Sequence, residues 1–323
     1  MKLYNPNYPV DLHCHTTRSD GADTPKELID FASQIGMEVV AITDHDVRPP
    51  QTIFCDGLEC EMEDYAAGKG ITVLKGIEIS CETLVEDCHL VCLGCDWDAP
   101  YFDKLEKMVA ESKVAAYRLL IEKLCDAGYH VSWEEVLDNS GQPVLETQVQ
   151  KKMIFELLYR KGYFKSWSDA KKMVKNTAEF TIPRLKPDPL EVIREIHHCG
   201  GVVIMAHPYL VNERVKLYDM ELERREYIER LLDGGLDGIE ASYTYGKTSY
   251  TGGMTQTEIE KEVRLQYTSK VRILSGGSDY HADSKKGVQN PRMVGECGLS
   301  KREFYENPIL AKLAERVKGV IHI

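Results

Sequence analysis

Short apolar runs in this chain end, again and again, in residues that bind metals, and that recurrence limits the fold more than any other feature. The first such cluster is His13-Cys14-His15, with Asp20 soon after it; Val39-Val40-Ala41-Ile42 leads into Asp44-His45, and Ile71-Thr72-Val73-Leu74 precedes Glu78. His89 stands in Cys88-His89-Leu90-Val91, His207 ends Val202-Val203-Ile204-Met205-Ala206, and Asp279-Tyr280-His281 follows Arg272-Ile273-Leu274-Ser275. Side chains of a strand alternate between its two faces, so His13 and His15 point the same way and can grip one ion. Asp279 and His281 repeat that spacing. A lone histidine such as His89 is more often a satisfied core residue than a ligand. A His-x-His, a second histidine about thirty residues on, a glutamate after an apolar run and a late Asp-x-His together point to a metal site. A mixed set of imidazoles and carboxylates suits Zn, Mn or Fe better than Ca or Mg, which take mostly oxygen.

Between these clusters the chain alternates strand and helix signals. Thr24-Pro25-Lys26-Glu27 is a capping box with proline at the first helical position, opening a helix that carries Leu28, Ile29, Ala32 and Ile35 to Gly36. The strand Val39-Val40-Ala41-Ile42 follows. Asp188-Pro189-Leu190-Glu191 repeats the signal, its helix runs through Val192, Ile193 and Ile196 to Gly200-Gly201, and the next strand ends at His207. Such βα units predict an α/β barrel, whose strands deliver ligands at their carboxyl ends to one mouth. From Asp98-Ala99-Pro100 to Ile182-Pro183 the pattern turns helical, so an inserted helical lid over residues 99–182 is expected, with residues 1–98 and 183–323 forming the barrel.

The net charge of −12 opposes attraction to duplex nucleic acid or an anionic membrane. A small phosphorylated substrate remains compatible, because bound cations offset the field locally. No apolar stretch approaches the roughly 20 residues that span a bilayer, and Met1-Lys2-Leu3-Tyr4-Asn5-Pro6 lacks the apolar core of a signal peptide. A cytoplasmic location is expected. The ten cysteines are then reduced thiols, with Cys88, Cys92 and Cys95 reading as part of a buried strand.

The stretches His13-Cys14-His15-Thr16-Thr17-Arg18-Ser19-Asp20-Gly21, Ile42-Thr43-Asp44-His45, Gly76-Ile77-Glu78-Ile79-Ser80, Ala206-His207-Pro208 and Gly277-Ser278-Asp279-Tyr280-His281 resemble successive motifs of the PHP (polymerase and histidinol phosphatase) family of metal-dependent phosphoesterases. The inserted helices followed by Pro183-Arg184, Gly200-Gly201 and Ala206-His207-Pro208 are similar to the branch that dephosphorylates nucleoside 3′,5′-bisphosphates and trims short RNA from its 5′ end. The resemblance implies a distorted seven-stranded TIM-like barrel and a site for three divalent ions. By analogy His13, His15, Glu78 and Asp279 would hold the first ion. Glu78 would bridge to a second on His89 and His207, and Asp20, His45 and His281 would hold the third. Asp44 would act from behind the ligands as a catalytic-site residue that orients an imidazole. A hydroxide generated between two ions would attack phosphorus.

The basic residues suggest where phosphate is held. Arg18 lies inside the first motif, Lys285 follows the last, and Arg184 stands between Pro183 and Lys186-Pro187, where a rigid loop can aim its planar fork as a catalytic phosphate clamp. Relatives in the narrower branch tend to carry Arg-Pro-His where this chain has Lys151-Lys152-Met153, so Lys151 replaces a bidentate group with a point charge. Two alternatives stay open: a phosphatase of histidinol phosphate or another small monoester, and a metal-binding regulatory protein without turnover. A serine nucleophile fits less well, because no Gly-x-Ser-x-Gly elbow is present.

Overall fold

The computed structural model describes residues 4–55 and 57–320; Met1-Lys2-Leu3, part of the stretch read as lacking a signal-peptide core, lies outside them. Contacts divide the chain into two compact units, one running to Phe102 and resuming at Pro187, the other Asp103–Lys186. The bounds of the second unit lie slightly further along the chain than the expected 99–182.

In the first unit the capping signals act as read. Strand β1 (Val10–Cys14) is followed by α1 (Pro25–Gln34), where Thr24 Oγ1 accepts from Glu27 N and Glu27 accepts from Thr24 N at 2.7 Å. Next come β2 (Val39–Ile42), a hairpin of β3 (Thr52–Cys55) and β4 (Leu58–Glu61), α2 (Met62–Gly68), β5 (Thr72–Ser80) and β6 (His89–Leu93). The second unit then holds most of α3 (Pro100–Asp126), with α4 (Trp133–Asp138), α5 (Lys151–Arg160) and α6 (Trp167–Asn176). The first unit resumes with α7 (Pro189–His198), capped by Asp188, and β7 (Val202–Met205). A second hairpin, β8 (Arg214–Leu217) and β9 (Met220–Glu223), precedes α8 (Arg224–Asp233) and β10 (Gly238–Ser242). α9 (Gln256–Tyr267), β11 (Ile273–Gly276), α10 (Lys301–Glu306) and α11 (Pro308–Val320) complete it.

The seven-stranded sheet runs β1-β2-β5-β6-β7-β10-β11 and curls into a nearly closed barrel. Its ends meet just beyond β11, where His15 N donates to Tyr280 O at 2.7 Å and Tyr280 N to His13 O at 3.3 Å. Gly277 makes this approach possible, since a Cβ there would lie 2.3 Å from the Cβ of His13. One strand departs from the parallel pattern: β6 pairs antiparallel with both β5 and β7. Residues 81–88 are too few for the crossover of a dozen or more that a parallel connection needs. His89 therefore opens its strand, at the rim where the parallel strands end.

Neighbouring strand residues enter different clusters. Val40, Ile42 and Val73 pack with Leu28, Ile29, Met62 and Ala66. Val39, Ala41, Leu74, Val91 and Ile204 pack with Phe304, Leu310 and Leu313. Burial on both faces is why these strands read as unbroken apolar runs. The helical unit has its own core, in which Leu120, Leu124, Trp133, Ile154, Leu158 and Phe180 meet. Cys88, Cys92 and Cys95 are buried. Among the described residues no helix is long and apolar enough to cross a membrane.

Candidate metal centre

Glu78 is the point on which the site converges. It lies within β5 rather than at its end, opposite Val91, with its N–H donating to Asp44 O and its carbonyl accepting from Asp46 N. Strand pairing on both sides thus fixes its backbone. Its Oε1 lies 3.1 Å from His89 Nδ1 and 2.9 Å from His207 Nε2. Its Oε2 lies 3.2 Å from His13 Nε2, 3.2 Å from His15 Nε2 and 3.0 Å from His45 Nδ1. Asp279 Oδ1 stands 3.1 Å from His15 Nε2, while Asp20 Oδ1 stands 3.0 Å from His281 Nε2. The barrel rim therefore brings together all nine ligand-type side chains expected from the sequence. Two of them, His207 (φ 30°) and Asp279 (φ 52°), hold left-handed backbone that non-glycine residues seldom adopt, a strain characteristic of functional sites.

Three sets within this group have the mutual distances of a metal site: His13-His15-Glu78-Asp279, His15-Asp20-His45-His281 and His45-Glu78-His89. His15 belongs to two of them, whereas the family analogy used it once; His207 meets Glu78 but lies outside the three sets. Several buried atoms at the centre lack a hydrogen-bond partner, namely His15 Nδ1, His45 Nδ1, His207 Nδ1 and Glu78 Oε2. Each such orphan costs about 1–3 kcal/mol. Mixed nitrogen and oxygen donors crowded to this spacing without hydrogen-bond geometry between them fit divalent cations.

Electrostatics agree. Burial opposes charge on Glu78, yet the surrounding imidazoles hold it well below the carboxylate range. Burial likewise disfavours protonated His15, but Asp279 and Glu78 outweigh it and lift its pKa to about 10. Without metal the ring is therefore protonated below that value, and an ion must displace the proton. Metal uptake at neutral pH should release protons, with apparent affinity rising as pH rises toward 10. Calorimetric titration in two buffers of different ionisation enthalpy measures the number released; a count of zero would contradict this.

Four residues that the sequence reading did not single out complete the site. Glu240 Oε1 lies 3.2 Å from His13 Nδ1, turning Nε2 toward the centre, and Oε2 accepts from His207 N at 2.8 Å. Its only signal was a lone acid in the run Gly238-Ile239-Glu240-Ala241. Tyr243 and Arg292 donate to Asp279 Oδ2 at 2.7 and 2.5 Å. Asp11 accepts from His13 N, Ser278 N, Ser278 Oγ and Gly295 N, binding β1 to the strand end opposite it. Burial lifts the Asp11 carboxyl to about 6, against the pull of those hydrogen bonds.

The remaining expected residues are placed as follows. Asp44 accepts from Thr16 N, Thr16 Oγ1 and Ser19 Oγ at 2.6–2.7 Å, so these bonds hold the loop that carries Asp20. Arg18 donates to Arg48 O, and Lys285 pairs with Asp23 and Glu27 at 2.7 and 2.9 Å. Lys151 and Arg184 lie together in the helical unit, lining a pocket of about 160 Å³ with Tyr117. A cleft of about 280 Å³ opens on the metal centre itself, and His89, Tyr243, Lys247, Lys286 and Arg292 are among its walls.

Comparison with known proteins agrees with this chemistry. A family model described as the PHP domain matches residues 11–185, more than half of the chain. A phosphoribosyl 1,2-cyclic phosphate 1,2-diphosphodiesterase of Eggerthella lenta is 25% identical over 84% of this chain and 93% of its own. A 3′,5′-nucleoside bisphosphate phosphatase of Chromobacterium violaceum is 27% identical over 86% of this chain and 89% of its own. The crystal structure of a Bifidobacterium adolescentis protein described as a metal-dependent phosphoesterase matches with a TM-score of 0.65 at 25% identity, covering 94% of this chain and 96% of that one.

Proposed function

Because the chain belongs to the PHP family, we propose that its centre holds three ions of Mn, Zn or Fe and hydrolyses phosphate esters of a pentose, a nucleoside 3′,5′-bisphosphate or the 5′ end of a short RNA foremost. The protein is a metal-dependent phosphoesterase. The observation that carries the finer reading is the gathering of nine ligand-type side chains at the barrel rim, five of whose imidazoles lie within 3.2 Å of Glu78, with four buried polar atoms among them that make no hydrogen bond. His13, His15, Glu78 and Asp279 would hold one ion, Asp20, His45 and His281 another, and Glu78 with His89 and His207 the third. Bound there, such ions supply Lewis acidity to the phosphoryl oxygens and a hydroxide nucleophile at neutral pH. The protein's own groups set the geometry: Glu240 fixes the ring of His13, Tyr243 and Arg292 fix Asp279, and Asp44 fixes the loop of Asp20.

We assign Arg184 and Lys151 to a substrate phosphate, on the chemistry of their shared pocket. Burial, and then the neighbouring guanidinium of Arg184, lower the pKa of Lys151, so an anion there would relieve the repulsion. Arg18 and Lys285 are weaker candidates, since Lys285 is already paired twice. Arg184→Lys keeps the charge and loses the fork, and kcat/KM on a nucleoside 3′,5′-bisphosphate should fall about tenfold with metal content and melting temperature unchanged. Lower stability with unaltered activity would make Arg184 structural.

A second reading, a cyclic phosphodiester of ribose, is favoured by the relative matched over 93% of its length. Steady-state rates of the metal-loaded enzyme on a nucleoside bisphosphate, a ribose cyclic phosphate and histidinol phosphate decide among these. Turnover of none would favour a regulatory role.

A further inference from the structure

The cleft over the metal centre has three basic residues in its walls, and two of them are already engaged. Lys247 Nζ donates to Pro291 O at 2.8 Å and pairs with Glu296 at 2.7 Å. Lys286 Nζ donates to Asp20 O at 2.5 Å. Arg292 differs in kind. Its guanidinium carries five N–H donors in a plane, and three contacts are seen: Nη1 to Asp279 Oδ2 at 2.5 Å, Nε to Asp283 Oδ2 at 2.8 Å, and a long Nη2 to Asp283 Oδ1 at 3.4 Å. One N–H on Nη1 and one on Nη2 are left over, on a side chain that is 15% exposed and lines the cleft.

Charge points the same way. Asp279 divides its two oxygens, with Oδ1 toward His13 and His15 and Oδ2 toward Tyr243 and Arg292. Here one guanidinium faces two carboxylates. An ion on Oδ1 would draw on the charge of Asp279, leaving Arg292 with positive charge not neutralised by that carboxylate. The guanidinium would then favour an anion in the cleft more strongly in the loaded protein than in the empty one.

We propose that Arg292 is a phosphate-binding residue of this site, holding Asp279 with one N–H of Nη1 and receiving nonbridging oxygens of the phosphoryl group on the two N–H groups left over. The inference rests on the phosphoesterase reading and adds to it a residue that contacts both a ligand carboxylate and the phosphate. A planar fork matches two phosphoryl oxygens at once, which an ammonium does not.

Calorimetric titration of inorganic phosphate into metal-loaded protein, with metal content measured on the same samples, tests this. Arg292→Lys should bind phosphate about tenfold more weakly than wild type at equal metal content and melting temperature. Asp283→Asn, which removes a competing carboxylate and keeps the guanidinium, should bind phosphate as tightly as wild type or more so. Equal phosphate affinity in Arg292→Lys and wild type would overturn the proposal, as would a loss of metal in Arg292→Lys that alone accounts for the weaker binding. Wild-type protein that takes up metal and binds no phosphate would overturn the proposal together with the reading beneath it.

Discussion

Glu78→Gln protein is expected to lose more than one ion at once and to retain at most about one hundredth of wild-type activity. Even groups that only support a ligand typically account for ten- to a hundredfold in metal affinity or activity, and a ligand shared between ions should account for at least as much. The amide keeps the size of the side chain but removes the negative charge that His13, His15, His45, His89 and His207 all face. The change sits between paired strands, so the backbone has no reason to move. Elemental analysis alongside kinetics measures both effects. Lys285→Gln is the comparison, because its ammonium pairs with Asp23 and Glu27 and should matter little to turnover. Equal and mild losses in the two variants would refute a shared carboxylate.

The largest effect on stability is expected at Gly277. An alanine methyl there would sit 2.3 Å from His13 Cβ and 2.7 Å from His13 N, both on the strand that closes the barrel. Neither is the far end of a flexible side chain, so β1 must move away from its neighbour. Overpacking of this kind costs about 1–3 kcal/mol and occasionally more, and backbone contact places this case at the upper end. Gly277→Ala should lower the melting temperature of the chelated protein by several degrees and reduce metal content, since His13 moves with its strand. Gly246→Ala, with nothing within 4 Å of the new methyl, is the control. Equal melting of the two variants would show that the closure yields freely.

The barrel was legible in the sequence because both its signals are local. Capping boxes such as Thr24 to Glu27 mark helix starts, and unbroken apolar runs such as Val39–Ile42 mark strands buried on both faces. Strand direction was not legible in the same way. An apolar run reads alike in either direction, and only the short link before His89 carries the information that β6 runs against its neighbours. At the site, histidines spaced by two announce themselves, and the structure gathers them. Arg292 had no such signature: it reaches Asp279 across a thirteen-residue separation without periodicity, and its sequence surroundings are those of any surface loop. Glu240 was hidden for a different reason, as a single acid in an apolar run, a pattern shared by many strands. Arg184 and Lys151 could be read as chemistry, but their shared pocket arises from tertiary packing within the helical unit.

Two of the carboxylates at the centre differ in how firmly they are held. Glu78 is fully buried in the middle of a strand, while Asp20 sits on a loop with its side chain 56% exposed, tethered through Thr16 and Ser19 to Asp44. Ion exchange should therefore be ordered in time. A chelator meets the Asp20 side first, and release there needs only a loop movement, whereas the Glu78 carboxylate is held in place by the paired strands on either side of it. Brief chelation should yield a partly stripped protein that still holds the inner ions, and the same asymmetry would let a metal-starved cell lose one ion without losing the assembled centre.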